Sequence, residues 1–309
     1  MTTEARTIGR TVIQGRSRVL DYIELMKPEL TFLSVLSALC GFYLGSTGAM
    51  NIAHFIHTAV GTILLGGGAG AINQYLERSF DALMKRTERR PLPSGRLFPE
   101  EALLFGVVLS LAGLAELTLF INGLTGFLGA LTFITYIFLY TPLKRVTPFS
   151  TIVGAIPGAL PPLIGWAAAR NAISVESWAL FSILFCWQIP HFLSLAWMYK
   201  KDYARAGFRM LTVGDDSGKT TTRQIVAFTV ILIPATLFSS YLGLTGLAYT
   251  IAALTLGGMF LTIGFLFLRS AHLVADTQQQ NVNMYARRMF FASLLYLPLL
   301  MIVMSMDKI

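Results

Sequence analysis

Ile52 to Ile72 reads IAHFIHTAVGTILLGGGAGAI, and it runs without a break into Asn73 to Pro91, NQYLERSFDALMKRTERRP. The first stretch has no Asp, Glu, Lys or Arg. Its length matches the roughly 20 apolar residues that carry a helix across a bilayer. The second stretch is densely charged. Asn73, Glu77 and Asp81 recur at i, i+4 and i+8, so at 3.6 residues per turn they share one helix face. Uncompensated acidic groups at membrane depth cost free energy, so such a face normally marks a function.

Further apolar runs of similar length lie on both sides. With 52–72 they give nine expected spans, the others at about 30–48, 102–121, 124–141, 150–168, 177–197, 225–243, 246–268 and 289–306. Charge, Gly, Asn or Pro bounds each of them. Of the 309 residues 54% are hydrophobic and 13% charged, against about 25% charged in soluble domains. The expected fold class is therefore all-α, a polytopic membrane protein with nine transmembrane helices. A polar tail at 1–29 precedes a single membrane domain at 30–309. The tail lacks a small-residue cleavage site, so no removable signal is expected.

Charge fixes the expected orientation. With the N-terminus in the cytoplasm, 22 of the 24 Lys and Arg residues fall in cytoplasmic segments, and Arg170 and Lys308 are the exceptions. The net charge of +8 is then topological. No aromatic-basic nucleic-acid module is present, and no nucleic-acid partner is expected. Cys40 and Cys186 lie inside apolar spans and suggest neither a disulfide nor a metal site. The same spans give His54 and His57 an interfacial place and no role. The cytoplasmic loops after spans 2 and 6 are long, a common property of functional loops. They lie four spans apart, a weak hint of an internal repeat.

Oxygen ligands such as Asn73, Glu77 and Asp81 suit Mg²⁺, which commonly uses one or two carboxylates plus substrate phosphates. Lys85, Arg86, Arg89 and Arg90 follow at once, and guanidinium groups hold phosphate oxygens in fork geometry. Carboxylates, Mg²⁺ and arginines together suggest a diphosphate leaving group. The plainer alternative is a snorkelling helix end whose acids pair with its own bases. Gly66-Gly67-Gly68-Ala69-Gly70 lacks the strand before it and the Gly-Lys-Ser/Thr after it that a nucleotide loop needs. Close helix packing is the expected role of these small residues.

The Asn-x-x-x-Glu-x-x-x-Asp pattern, followed by Met84-Lys-Arg-Thr-Glu-Arg-Arg90-Pro91, resembles the first signature of the UbiA-type intramembrane prenyltransferases. Three other segments agree: Tyr140-Thr-Pro-Leu-Lys144-Arg145, Gly154-Ala-Ile-Pro-Gly-Ala-Leu-Pro-Pro162, and Trp187-Gln188-Ile-Pro190-His191-Phe192 leading to Asp202-Tyr203. The last is most similar to the branch that prenylates heme. The resemblance covers roughly residues 20–305. It implies a nine-helix bundle around a lipid-open cavity, capped by the two cytoplasmic loops. The implied reaction moves the farnesyl group of farnesyl diphosphate to a vinyl group of heme B, with Mg²⁺ as cofactor. The implied setting is the bacterial cytoplasmic membrane, with a heme A synthase as downstream partner.

Carried onto this sequence, the resemblance makes Asn73, Glu77, Asp81 and Asp202 the catalytic and metal-binding set. It makes Lys27, Lys85, Arg86, Arg90, Tyr140, Lys144, Lys201, Arg205, Trp187, Gln188 and His191 substrate contacts. Many family members carry a second acidic repeat after span 6. Here Asp202 stands alone among Lys200, Lys201 and Arg205, so the number of Mg²⁺ ions stays open, and a lysine can stand for part of one metal's charge. His191 can ligate heme iron or orient the porphyrin, with Trp187 and Leu195 one turn on either side. A polyprenyltransferase for a quinone precursor is the neighbouring alternative. A transporter would place its charges at the bilayer midplane instead, and a non-catalytic scaffold would tolerate neutral residues at 77 and 81.

Overall fold

The computed structural model describes residues 17–272 and 275–309, without the side chains of 275–279. Arg6, Arg10 and Arg16 of the expected tail lie outside the described residues. Among those described, nine helices are long and apolar enough to cross a membrane. In chain order the elements are α1 (Arg18–Leu25), α2 (Pro28–Gly45), α3 (Ile52–Asp81), α4 (Pro99–Leu119), α5 (Gly123–Leu143) and α6 (Ser150–Arg170). Then come α7 (Val175–Met198), α8 (Lys200–Arg205), α9 (Leu211–Gly214), α10 (Lys219–Tyr241), α11 (Leu247–Ser270) and α12 (Ala275–Met306). The all-α expectation holds: among the described residues there is no strand, only an isolated bridge between Thr245 and Lys308.

The spans match the apolar runs, but several ends shift. Helix α3 continues nine residues past 72, because Asn73 to Asp81 keep helical geometry and bury their polar side chains against other elements. Its 30 residues extend about 45 Å, well beyond a hydrocarbon core of about 30 Å. The charged end therefore stands at the membrane edge. Helix α2 begins at Pro28, two residues early, since proline suits the first helical turn. Helix α10 begins at Lys219 rather than 225, where the Asp215 carboxylate accepts from the backbone N–H groups of Gly218 and Thr221 and caps the polar first turn. The expected tail is part of the bundle from Ser17 onward: α1 packs on α3, and Arg96 binds Asp21 at 2.7 Å and Glu24 at 3.0 Å.

Two helices depart from simple geometry, and both depart near the cavity described below. Pro161 and Pro162 interrupt α6 at Leu160. Its first half packs on α7 and its second on α2. The second contact is so close that a Cβ at Gly165 would lie 1.7 Å from the Ala38 carbonyl oxygen. Helix α5 widens to a π-helix over Thr135–Tyr140.

The small-residue run at 66–70 has its expected role. Gly68 meets Gly106 and Ser110 of α4, while Gly67 and Gly70 meet Met26 in the α1–α2 turn. That approach matters because the next residue, Lys27, then lies over the polar face of α3. Lys27 occupies the left-handed region at φ 50°, a conformation that L side chains adopt at a cost.

Candidate active site

The polar face of α3 meets three basic side chains from elsewhere. Lys27 donates from Nζ to the Asn73 Oδ1. Lys144 Nζ lies 2.8 Å from the Glu77 Oε1, and Arg90 Nη1 lies 2.8 Å from the Asp81 Oδ2. Asn73 Nδ2 donates to the Thr141 hydroxyl at 2.9 Å. Burial decides between a snorkelling helix end and a built site. Asn73 is fully buried, Glu77 is 7% exposed and Asp81 is 1% exposed. A snorkelling end would keep its charged groups in water. Two of the three basic partners also come from other elements, Lys144 just past α5 and Lys27 at the start of α2. The acids are therefore held inside the protein.

The charge on Lys144 depends on this pairing. Burial pulls the amine's pKa down, but Glu77 beside it, with Tyr140 and Tyr136, raises it above the ordinary lysine value. Lys27 goes the other way. Burial and the nearby Arg90 lower its pKa to about 7, against the pull of Glu77. Burial and the neighbouring cations thus hold Lys27 ready to take up a proton when a further anion adds its field.

The two long loops meet over this face. Met84 packs with Tyr203, Phe208 and Met210, and Arg86 reaches the Tyr203 hydroxyl at 3.4 Å. Arg86 also lies over the Tyr199 ring, and Arg205 reaches the Leu83 carbonyl at 3.3 Å. Asp202 pairs with Arg205 at 3.4 Å and is mostly buried. Lys85 and Lys201 are exposed. Among the described residues no group of three or more His, Cys, Asp and Glu side chains is placed to hold a metal. Asp202 is therefore not drawn into one cluster with Glu77 and Asp81.

A cavity of about 190 Å³ opens beside the charged cluster. Lys27, Tyr136 and Tyr140 line its polar end, and Phe133, Leu65 and Leu33 line its apolar part. Trp187, Gln188 and His191 face it from α7. His191 is 9% exposed and stacked between Trp187 and Phe290, with both ring centroids 5.0 Å away. The expected stripe is corrected at one position. Leu184 and Phe192 line the cavity and Leu195 does not, because the cavity wall follows α7 away from the end that leads into α8.

A model of the UbiA prenyltransferase family matches residues 34–295. The chain belongs to the UbiA prenyltransferase family. A protoheme IX farnesyltransferase of Solibacter usitatus is 47% identical over 297 residues, which cover 93% of this chain and 98% of that protein. Another, of Koribacter versatilis, is 40% identical and covers 94% of each chain. Solved structures share the fold. A digeranylgeranylglyceryl phosphate synthase superposes with a TM-score of 0.73 at 17% identity, over 93% of this chain and 99% of that one. A UbiA homologue from Archaeoglobus fulgidus bound to GPP and Mg²⁺ gives 0.64 at 14% identity, over 90% and 99%. This UbiA family member is therefore an integral membrane protein.

Four positions around the cavity escaped the sequence reading. Tyr136 accepts from Lys27 at 3.4 Å, and Thr141 anchors Asn73. Tyr136 stands one turn before Tyr140, a spacing that could have flagged it. Nothing in the sequence announced Ser293 and Phe290, which reach His191 from more than 95 residues downstream.

Proposed function

We propose that this chain transfers the farnesyl group of farnesyl diphosphate to a vinyl group of heme B, giving heme O and diphosphate. The supporting observation is the juxtaposition of a buried Asn73–Glu77–Asp81 face, ringed by Lys27, Lys144 and Arg90, with an apolar cavity that holds His191. The near full-length relatives named for protoheme IX and farnesyl transfer support the substrate pair.

The residues suit Mg²⁺. Glu77 and Asp81 offer hard oxygens one helical turn apart, and each ion pair given above uses one oxygen of its carboxylate. Asn73 adds an amide oxygen. Asn73, Glu77 and Asp81 would hold the Mg²⁺, whose positive charge would stabilise the departing diphosphate. Lys144, Lys27, Arg86 and Arg90 supply further positive charge to the leaving group. The farnesyl C–O bond breaks, and its electron pair leaves with the diphosphate. Tyr136, Tyr140 and Phe133 line the cavity, and their ring faces stabilise the allylic cation. The heme vinyl carbon attacks that cation. Water then traps the new cation beside the porphyrin and loses a proton, leaving a hydroxyethylfarnesyl chain. Apolar walls keep water from the farnesyl cation until that step.

The site faces the cytoplasm in this proposal, with the N-terminus inside and the C-terminus outside, as the distribution of basic residues supports. The setting is the bacterial cytoplasmic membrane, and the product passes to a heme A synthase. Heme extraction from cells with and without this chain, read by chromatography and mass, tests the proposal. A farnesylated, hydrated heme that depends on the chain supports it. A prenylated phenol in its place would move the assignment to a quinone precursor.

A further inference from the structure

The ring of His191 touches two helices. Its Nδ1 lies 2.7 Å from the Ser293 Oγ on α12. Ser293 has a single hydroxyl proton, and that proton is directed to the Phe290 carbonyl oxygen one turn earlier. The hydrogen between Ser293 and His191 must then come from the imidazole. This assigns the neutral ring as the Nδ1–H tautomer and leaves the lone pair on Nε2.

The rest of the arrangement holds this geometry in place. Trp187 Nε1 donates to the Ser293 carbonyl oxygen at 2.9 Å, so the same residue tethers both aromatic partners on α7. Trp187 and Phe290 stack on either side of the imidazole and restrict its rotation. His191 lines the cavity, and among the described residues its ring hydrogen-bonds through Nδ1 and not through Nε2. A histidine whose far nitrogen is fixed by a hydrogen bond, and whose near nitrogen is an open Lewis base in a cavity, is the usual state of a metal-binding imidazole.

We propose that Ser293 is a positioning residue that sets the tautomer of His191, so that Nε2 offers its lone pair to the iron of the porphyrin substrate. This rests on the heme reading above and goes further, by assigning the nitrogen and the residue that selects it. A carbonyl ligand or a carboxylate edge would not need the tautomer fixed in this sense. The iron of heme B does, because iron bonds the unprotonated nitrogen.

The test uses the full-length protein in detergent, with Ser293→Ala, Ser293→Thr and His191→Ala. Nitrogen NMR of histidine-labelled, heme-free protein reads the tautomer directly, with His191→Ala identifying the signal. The parent and Ser293→Thr should show a protonated Nδ1 and a bare Nε2, and Ser293→Ala should lose that preference. Titration with ferric heme B should then show affinity falling by about tenfold or more in Ser293→Ala, with an altered absorption band, while Ser293→Thr stays near the parent. Farnesyl diphosphate affinity should be equal in all four proteins. A Ser293→Ala protein with parental heme affinity and spectrum would overturn the role of Ser293, even if His191→Ala loses heme. Parental heme binding by His191→Ala would overturn the iron contact itself. A parent that binds no heme but prenylates a phenolic acceptor would overturn the heme reading beneath both.

Discussion

The Glu77–Lys144 pair can be broken in two ways with opposite consequences, and comparing them separates catalysis from architecture. The two side chains are 9% and 12% exposed and meet at 2.8 Å. Glu77→Gln keeps the shape but leaves the Lys144 charge buried and unpaired. Breaking a buried pair from one side costs about 3–5 kcal/mol. Removing both charges, in Glu77→Gln with Lys144→Met, should recover most of that loss, because an apolar replacement of a buried pair is often neutral or better. If the pair were only architectural, turnover would return together with stability.

A site that releases diphosphate behaves differently. Loss of a carboxylate that holds the divalent cation removes several kcal/mol of charge stabilisation in the transition state. Taking about 4 kcal/mol, turnover falls roughly a thousandfold. The double variant lacks that carboxylate and also a cation facing the leaving group, so its turnover should stay at least as low. The assay pairs thermal unfolding in detergent with single-turnover farnesyl transfer at saturating substrate. The expected pattern is a low unfolding temperature for Glu77→Gln, a near-parental one for the double variant, and negligible transfer by both. A double variant that transfers farnesyl within tenfold of the parent would refute the active-site assignment.

Asp81→Asn should likewise lower turnover by two orders of magnitude or more while the protein still inserts into the membrane; transfer above a tenth of the parental rate would contradict a metal-binding Asp81. Lys27 should take up a proton as diphosphate binds: its pKa of about 7 leaves it largely neutral at pH 8, and the arriving anion raises that value. Affinity for farnesyl diphosphate should therefore fall as pH rises through 7 to 8, and calorimetry in buffers of different ionisation enthalpy should show an uptake that Lys27→Met abolishes. Gly165→Ala should lower stability by about 3 kcal/mol or more, since its Cβ would press on the Ala38 backbone oxygen rather than on a flexible side chain; an unchanged melt would refute the close α2–α6 contact. A cysteine at exposed Lys85 should react with an impermeant reagent only from the cytoplasmic side; labelling from outside would invert the topology.

The spans were legible because a bilayer imposes one length and one polarity on every crossing. The acidic face was legible because helical spacing alone brings Asn73, Glu77 and Asp81 together. Partners from distant segments follow a different rule. Lys144 and Tyr140 were found by family resemblance, and no local pattern pairs residue 144 with residue 77. Thr141 reaches the site just past the π-helical stretch at 135–140, where the ordinary 3.6-residue spacing fails. Lys85, Arg86, Lys201 and Arg205 carry the right charge, yet all four stand exposed, and only Arg86 and Arg205 reach across between the two loops. In a segment rich in basic residues, charge alone could not say which ones turn inward.

The site is therefore a product of helix ends rather than of helix middles. Every charged group in it belongs to the last turns of α3, the start of α2, the segment just past α5, or the loop after α3. Lipid cannot solvate these charges, but the membrane edge can, and the loops close over them with Arg86 and Tyr203. The cavity extends from that edge into the apolar bundle, where Lys27 and the tyrosines give way to Phe133 and Leu65. A substrate with an anionic head and a long apolar tail matches this gradient in one orientation only, head outward and tail inward. His191 then stands beside the tail-lined part and not beside the diphosphate. The second substrate must accordingly present an apolar surface to Trp187 and Phe192 while its reactive carbon points toward Tyr136 and Tyr140. A porphyrin held by its iron satisfies both demands. A small phenol satisfies only the second.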